Sequence, residues 1–337
     1  MEPLSIRSLR GDTVETQHQV HIAVVDATGA LLFSQGDIDS PTPVRSAAKP
    51  FQAVPLLSGP DERWGLTEQD IALACASHNS ERRQVEMVGA FLERIGLDQS
   101  ALACGPHRPL AKELGYPLAA LGERPELASP SSLASNCSGK HTGMLAVALH
   151  HDWPIEGYHR FGHPVQEACR DAVADYCGMS ESEIAHSVDG CGAVCWALPL
   201  VALARGFSAL AARSDPPTRR IVRSMVEHPE LIAGWARLCT ALMSAYPHSV
   251  LAKVGAGGVY GAAALESGIG IGIKVADGNT MAAGVALLAV LEQLDPFADV
   301  TDRLAPYVQP PVMNTRREVV GRMEVVGRAV WNRASAR

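Results

Sequence analysis

The sequence predicts an α+β fold, in which a mostly antiparallel sheet is built from both ends of the chain around an inserted helical region. Short runs rich in glycine and β-branched residues lie near both termini, and segments of helical length fill the middle. We expect one domain spanning residues 1–337, with sheet-forming parts at about 1–60 and 245–337 and a helical part at about 61–244.

The N-terminal part is expected to supply two strands and a helix. Residues 19–36 predict two strands around an Asp-Ala-Thr-Gly turn. A polar arm, residues 37–45, then leads to a helix that begins near Ser46. Pro50 suits the first turn of that helix, where its missing N–H is harmless. Residues 52–57 continue the helix, with a kink at Pro55.

Helices are predicted through the middle of the chain, and strands return at its end. The helical segments are 68–76, 82–96, 138–151, 164–176, 181–184, 194–206, 217–228 and 231–245. Residues 105–135 are rich in Pro, Gly and Ser and predict an irregular cover. The C-terminal strands are expected at 249–254, 258–265, 268–275 and 318–326, with a buried helix at 279–294.

Composition and charge exclude several classes of partner. The hydrophobic content of 47% is enough for a sizeable core. The net charge of −7 and the lack of a basic tract make nucleic acid and anionic membranes poor partners. The first residues lack the apolar core of a signal peptide, and the apolar run 281–291 is too short to span a bilayer. We therefore expect a cytoplasmic protein with reduced cysteines.

A serine lies three residues before a lysine where the polar arm enters its helix. This spacing places the side chains of Ser46 and Lys49 on one helical face. A buried lysine loses its proton easily, so Lys49 can be the base that activates Ser46. The same spacing also occurs by chance in many chains, so other motifs must support the interpretation.

Two further motifs follow in a meaningful order. Ser77-His78-Asn79 ends a predicted helix, and Lys253-Val254-Gly255 lies on a predicted strand. The order S-x-x-K, S-x-N, K-x-G is found in class A β-lactamases and penicillin-binding proteins. A second Ser/Lys pair, Ser77 and Lys253, can carry a proton to the leaving group. The alternatives are a helix cap at Ser77 and a strand lysine whose amine reaches solvent.

Two glycine-rich polar turns carry cysteines. Cys137 precedes Ser-Gly-Lys140-His141, and Cys191 follows Asp189-Gly. Thiolates are soft ligands that suit zinc, and a zinc site here takes Lys140 or His141 as its third ligand, with water in the open position. The alternative is a pair of buried thiols at glycine turns.

At these residues the sequence resembles the L-asparaginase II family, the Ser/Lys type that shares the serine β-lactamase and glutaminase-like fold. The resemblance covers nearly the whole chain, and its most specific parts are Arg45-Ser-Ala-Ala-Lys-Pro50 and Ser135-Asn-Cys-Ser-Gly-Lys-His141. Its other parts are Val20–Asp26, Ala74–His78 with Glu81, Cys104-Gly105, Gly162–Pro164, Asp189–Cys191, His228–Glu230, Lys253–Gly255 and Lys274–Asn279.

The resemblance implies hydrolysis of L-asparagine to L-aspartate and ammonia. It implies Ser46 as nucleophile with Lys49 as its base, and Ser77 with Lys253 as the second pair. It also implies zinc held by Cys137, Lys140 and Cys191, oriented by Asp189, and a homodimer. Candidate substrate-binding residues are Arg45, His78 and His141.

Two other functions stay open from the sequence. The first is another Ser/Lys hydrolase of the same fold, such as a glutaminase or a β-lactamase. The second is a metal-binding protein without catalysis. The presence of both Ser/Lys pairs argues against the second alternative, because a binding module does not need them.

Overall fold

The computed structural model of the protein describes residues 1–108 and 129–327. The strands are β1 Leu4–Arg10, β2 Thr13–Val25, β3 Leu31–Gln35, β4 Thr42–Pro43, β5 Ala185–Val188, β6 Val194–Leu198, β7 Val250–Gly255, β8 Val259–Ala264, β9 Ile269–Val275, β10 Pro311–Met313 and β11 Val319–Val326.

The α-helices follow in chain order. They are α1 Lys49–Gln52, α2 Pro60–Trp64, α3 Glu68–Cys75, α4 Arg82–Arg94, α5 Ser138–His150, α6 Pro164–Cys177, α7 Leu200–Ala212, α8 Pro216–Glu227, α9 Pro229–Ile232, α10 Leu238–Ala245, α11 Thr280–Leu291, α12 Val300–Arg303 and α13 Ala305–Val308. Short 3₁₀ helices occupy Arg45–Ala48, Val54–Leu57, Gln99–Ala101 and Glu181–Glu183.

The main sheet joins the two ends of the chain. Its strand order is β10-β11-β1-β2-β9-β8-β7, with β3 also paired to β2. Neighbouring strands are antiparallel, including the pairs β1–β11 and β2–β9 that link N-terminal to C-terminal strands. The predicted α+β fold, with an antiparallel sheet built from both termini, is therefore confirmed.

Strands β7 and β8 are buried along their whole length, which requires cover on both faces of the sheet. Helix α7 packs on one face, where Gly270 and Gly272 of β9 leave room for its backbone. Helix α11 also packs against β8 and β9. Because successive side chains of a strand point to opposite faces, both faces of these strands need such cover, and the helices α7 and α11 supply it.

The segment 194–206 is not one helix, contrary to prediction. It begins as strand β6, which pairs with β5 and β4 in a small second sheet, and becomes helix α7 only after Pro199. All five residues of β6 are buried. A continuous apolar run of this kind does not distinguish a buried strand from a buried helix.

The predicted helix 231–245 is also interrupted. Helix α9 ends at Ile232 and α10 begins at Leu238, because Gly234 and Ala236 adopt positive φ angles of +100° and +60°. Strand β1 was not predicted, and the cover at 105–135 lies partly outside the described residues. Within residues 1–108 and 129–327, no helix is long and apolar enough to cross a membrane. The single-domain organisation stays a prediction.

Candidate active site

The predicted nucleophile Ser46 lies on a short 3₁₀ helix that packs against the end of β7. A Cβ atom on Gly255 would lie 2.6 Å from the carbonyl oxygen of Val44, so only glycine permits this approach. Strand β7 carries Lys253, and helix α1, which directly follows the 3₁₀ helix of Ser46, begins with Lys49. The glycine contact therefore brings the two predicted Ser/Lys pairs together.

Arg45, directly before Ser46, has a φ of +50°, a left-handed conformation that is costly for a side chain other than glycine. Its Nε donates a 2.5 Å hydrogen bond to Oδ1 of Asp189. Asp189 also accepts from the backbone N–H of Gly190, at 2.9 Å. This ion pair ties the backbone before Ser46 to the turn that carries Cys191.

The hydroxyl of Ser77 lies between two lysine amines. Its Oγ is 3.1 Å from Nζ of Lys49 and 2.8 Å from Nζ of Lys253. All three side chains are almost fully buried. The Ser77 backbone N–H donates to the carbonyl of Ile232, at 2.8 Å, which holds the residue in place after helix α3.

The surroundings of the two amines differ. Lys49 also donates to the carbonyl oxygens of Ala76 and Asn136, at 2.5 and 3.4 Å, so its three donors fit a protonated ammonium. Burial, and then the positive charge of Lys49, lower the pKa of Lys253 to about 7. A neutral Lys253 can therefore accept the Ser77 proton near neutral pH.

Of these groups, Ser77 lines a cavity of about 260 Å³, and the two lysines lie behind it. It is smaller than the roughly 300–1,000 Å³ of pockets for drug-sized ligands, which indicates a small substrate. Ser46 lies on its wall and makes no side-chain hydrogen bond to any residue in 1–108 or 129–327. The wall residues include Arg45, Ser46, Ser77, His107, Asn136, Cys137, Asp189, Cys191, Arg237 and Thr280.

Six of the predicted site residues line this cavity, whereas Lys49, Lys140, Lys253 and the two histidines do not. His78 is fully buried and bonds through Nε2 to Ser138 Oγ, at 2.9 Å. Burial lowers its pKa to about 3, so the ring is neutral. His141 bonds through Nδ1 to the hydroxyl of Tyr158, at 2.7 Å. Neither ring lines the cavity, so the geometry gives them supporting positions.

The polar turn with Cys137 and the turn with Cys191 meet beside the cavity. Lys140, at the start of α5, donates to Sγ of Cys191 at 3.2 Å. The interaction between the two thiols raises the pKa of Cys137 and lowers that of Cys191. The Cys191 thiol also lies 3.7 Å from Oδ2 of Asp189.

The donor set fits a zinc ion only if the lysine takes part. Within the described parts of the chain, no three His, Cys, Asp or Glu side chains gather so that they could hold a metal ion. Two thiols and the Lys140 amine remain, and a bound metal can force such an amine to release its proton. Nε2 of His141 is buried and has no hydrogen-bond partner among the described residues.

A serine held between two lysine amines at a small cavity is the arrangement of serine hydrolases that use lysine as their base. The family model for L-asparaginase II matches residues 6–325, and the chain belongs to this family. The comparison with curated proteins gave no match.

Solved structures with a related shape were also found. The chain is similar to Mglu in its native form, with 16% identity and a TM-score of 0.43, over 81% of this chain and 63% of that one. It is also similar to EstCE1, a hydrolase with promiscuous acyltransferase activity, with 11% identity and a TM-score of 0.38, over 75% and 87% of the two chains. The chain thus spans less than two thirds of the length of the first of these proteins.

Arg237 is a residue of the cavity wall that the sequence did not single out. It follows the break between α9 and α10, and its side chain bonds to Asn79. The sequence signal that could have indicated this site is Gly234, because a glycine inside an otherwise helical pattern often marks a break that has a packing or functional role.

Proposed function

We propose that the protein is an L-asparaginase, which hydrolyses the side-chain amide of L-asparagine to L-aspartate and ammonia. Membership of the L-asparaginase II family supports the substrate. The observation that carries the chemistry is the Ser77 hydroxyl, 2.8 and 3.1 Å from two buried amines, at the cavity that Ser46 also lines.

In the proposed reaction, Ser46 Oγ attacks the side-chain carbonyl carbon of asparagine. As Lys49 takes the hydroxyl proton of Ser46, it gives one of its own to Ser77, and Ser77 passes one to the neutral Lys253. The protonated Lys253 then returns a proton through Ser77 to the departing nitrogen. The C–N bond breaks, ammonia leaves and an aspartyl ester remains on Ser46. Water then cleaves the ester, and the proton returns by the same route.

Zinc is part of the proposal, with Cys137, Lys140 and Cys191 as its protein ligands. The support is the donor set itself, in which the Lys140 amine and Cys191 thiol are 3.2 Å apart. When bound, zinc supplies a Lewis-acid centre that can hold a polar group of the substrate. Asp189 pairs with Arg45 and lies 3.7 Å from the Cys191 sulfur, so it positions the turn that carries Cys191 together with the cavity wall.

Ammonia release from L-asparagine tests the function. We expect turnover by the wild-type protein and a loss of at least about 10³-fold in Ser46→Ala and in Ser77→Ala. The matched control is Ser267→Ala in the exposed turn between β8 and β9, which should retain full activity. If wild-type protein releases no ammonia, or if Ser46→Ala retains activity, the proposal is wrong.

Parallel incubations address the other hydrolase functions. Faster turnover of L-glutamine would indicate a glutaminase, and cleavage of nitrocefin would indicate a β-lactamase. Zinc content of the purified protein, compared with Cys137→Ser and with Cys177→Ala as control, tests the metal separately. Cys177 is buried in helix α6, so its loss should leave the zinc content unchanged. The homodimer and the cytoplasmic location stay predictions, and sedimentation velocity tests the first.

A further inference from the structure

Arg237 is a buried cation at the cavity that bonds to no carboxylate of the described residues, and Glu81 acts on it only through space. Its side chain is 2% exposed and forms part of the cavity wall. Among residues 1–108 and 129–327 no carboxylate forms an ion pair with it. Other partly buried arginines differ, because Arg45 pairs with Asp189 and Arg94 pairs with Asp70.

Only one nitrogen of the Arg237 guanidinium forms a hydrogen bond to the described part of the chain. Nη1 donates to Oδ1 of Asn79 at 3.1 Å and to the carbonyl of Ser77 at 3.4 Å. Nε and Nη2 make no hydrogen bond to the described residues. An arginine presents its donors as a planar fork, so the remaining edge suits a two-oxygen acceptor such as a carboxylate.

The loop that carries Arg237 is fixed to the segment after Ser77. Trp235 donates its backbone N–H to Glu81 at 2.6 Å, and its carbonyl accepts from Asn79 at 2.8 Å. A side chain at Gly234 would collide with Glu81. Ala236 is held at a φ of +60°, a strained value for alanine. The guanidinium is therefore held rigidly against the cavity.

A buried charge that lacks a bonded counterion is unfavourable, and arginine cannot avoid it by losing its proton. Elsewhere on the cavity wall, Arg45 is already neutralised by Asp189. The lysine amines are both engaged with Ser77. Arg237 is thus the cation of the described cavity wall that has no bonded carboxylate, so an anionic group of the ligand can pair with it.

We propose that Arg237 binds the α-carboxylate of the substrate and thereby selects amino-acid amides over simple amides. Asn79 is the positioning residue that holds the guanidinium in place. The inference rests on the proposed function, since it assigns the part of L-asparagine that does not react.

The test compares two substrates that differ only in this group. L-Asparagine carries the α-carboxylate, whereas L-asparaginamide carries a neutral amide instead. In Arg237→Gln we expect KM for L-asparagine to rise about 30-fold or more, with little change in kcat and little change for L-asparaginamide. Arg237→Lys should give an intermediate loss, because it keeps the charge but not the fork.

The control is Arg205→Gln on the surface, which should leave both substrates unaffected. Among the described residues, the Arg205 side chain bonds only to the Gly29 carbonyl. Equal losses for both substrates in Arg237→Gln would overturn the inference and indicate a purely structural role. If circular dichroism shows that Arg237→Gln does not fold, the KM values of Arg237→Lys for the same two substrates provide the test.

Failure of the proposed function looks different. In that case the wild-type protein hydrolyses neither substrate, and calorimetric titration decides the inference. L-Aspartate should then bind to wild-type protein more tightly than β-alanine, which lacks the α-carboxylate, and Arg237→Lys should weaken only L-aspartate binding. Equal binding of the two ligands, or no binding of L-aspartate, would contradict the role of Arg237.

Discussion

The pH dependence of turnover tests the role of Lys253. Burial and the charge of Lys49 lower its pKa from 10.5 to about 7. A protonated Lys253 cannot accept the proton of Ser77, whereas the neutral amine can. The value of kcat/KM should therefore rise as the pH increases through about 7 and become constant above about 8.

The expected size of the change follows from the pKa. Lys253 is about one-tenth neutral at pH 6 and about nine-tenths neutral at pH 8, so kcat/KM should increase about tenfold over this range. With the ordinary pKa of 10.5, less than about 1% of the amine would be neutral at pH 8. The rate would then rise about tenfold for every pH unit without reaching a plateau.

The assay is ammonia release at constant ionic strength from about pH 5.5 to 9. Lys253→Arg, which stays protonated, should lose the plateau and about 10²–10⁴-fold of the rate. His107→Gln is the matched control, because this histidine lines the same cavity. His78, with a pKa of about 3, is neutral throughout. The reasoning is refuted if the rise is absent, or if His107→Gln removes it.

Three further predictions concern stability and the metal. Gly139→Ala should lower the free energy of unfolding in urea by about 1–3 kcal/mol, because a Cβ would overlap the carbonyl of Leu73. Gly89→Ala, in the open middle of α4, should raise it by up to about 1 kcal/mol. Similar changes in the two variants would contradict this prediction. The folded-state pKa of Lys253 lies below its unfolded value, so the unfolded chain binds more protons between about pH 7 and 10. Raising the pH from about 7 to 9 should therefore stabilise the wild-type protein by roughly 2 kcal/mol relative to Lys253→Met, and unfolding at both pH values checks the sign. Asp189→Asn should weaken zinc binding about 10–100-fold in chelator competition, and unchanged affinity would remove Asp189 from the site.

Much of the fold could be predicted because its signals are local. The strands β7 to β9 carry glycine and β-branched residues between turns, and helix α11 is a long apolar segment. Strand β6 could not be distinguished from a helix, because its five residues are all apolar and buried between neighbours distant in sequence.

The site also contains residues that local motifs predict and residues whose role depends on the tertiary fold. Ser77 and Lys253 are marked by short motifs, and the structure places them 2.8 Å apart. The spacing of Ser46 and Lys49 predicts a contact between them, yet the Lys49 amine is directed to Ser77. That direction depends on the carbonyl of Ala76, directly after α3, and on that of Asn136, which only the tertiary fold brings to the lysine. Arg237 was missed for the same reason.

Rapid quenching of the protein during turnover of L-asparagine, followed by peptide mass spectrometry, tests the central claim most directly. That claim is a covalent reaction at Ser46, assisted by Lys49, Ser77 and Lys253. An aspartyl ester is expected on the peptide that contains Ser46, and none on that peptide in Ser46→Ala. An ester on Ser77, or steady turnover with no covalent intermediate on either serine, would contradict it.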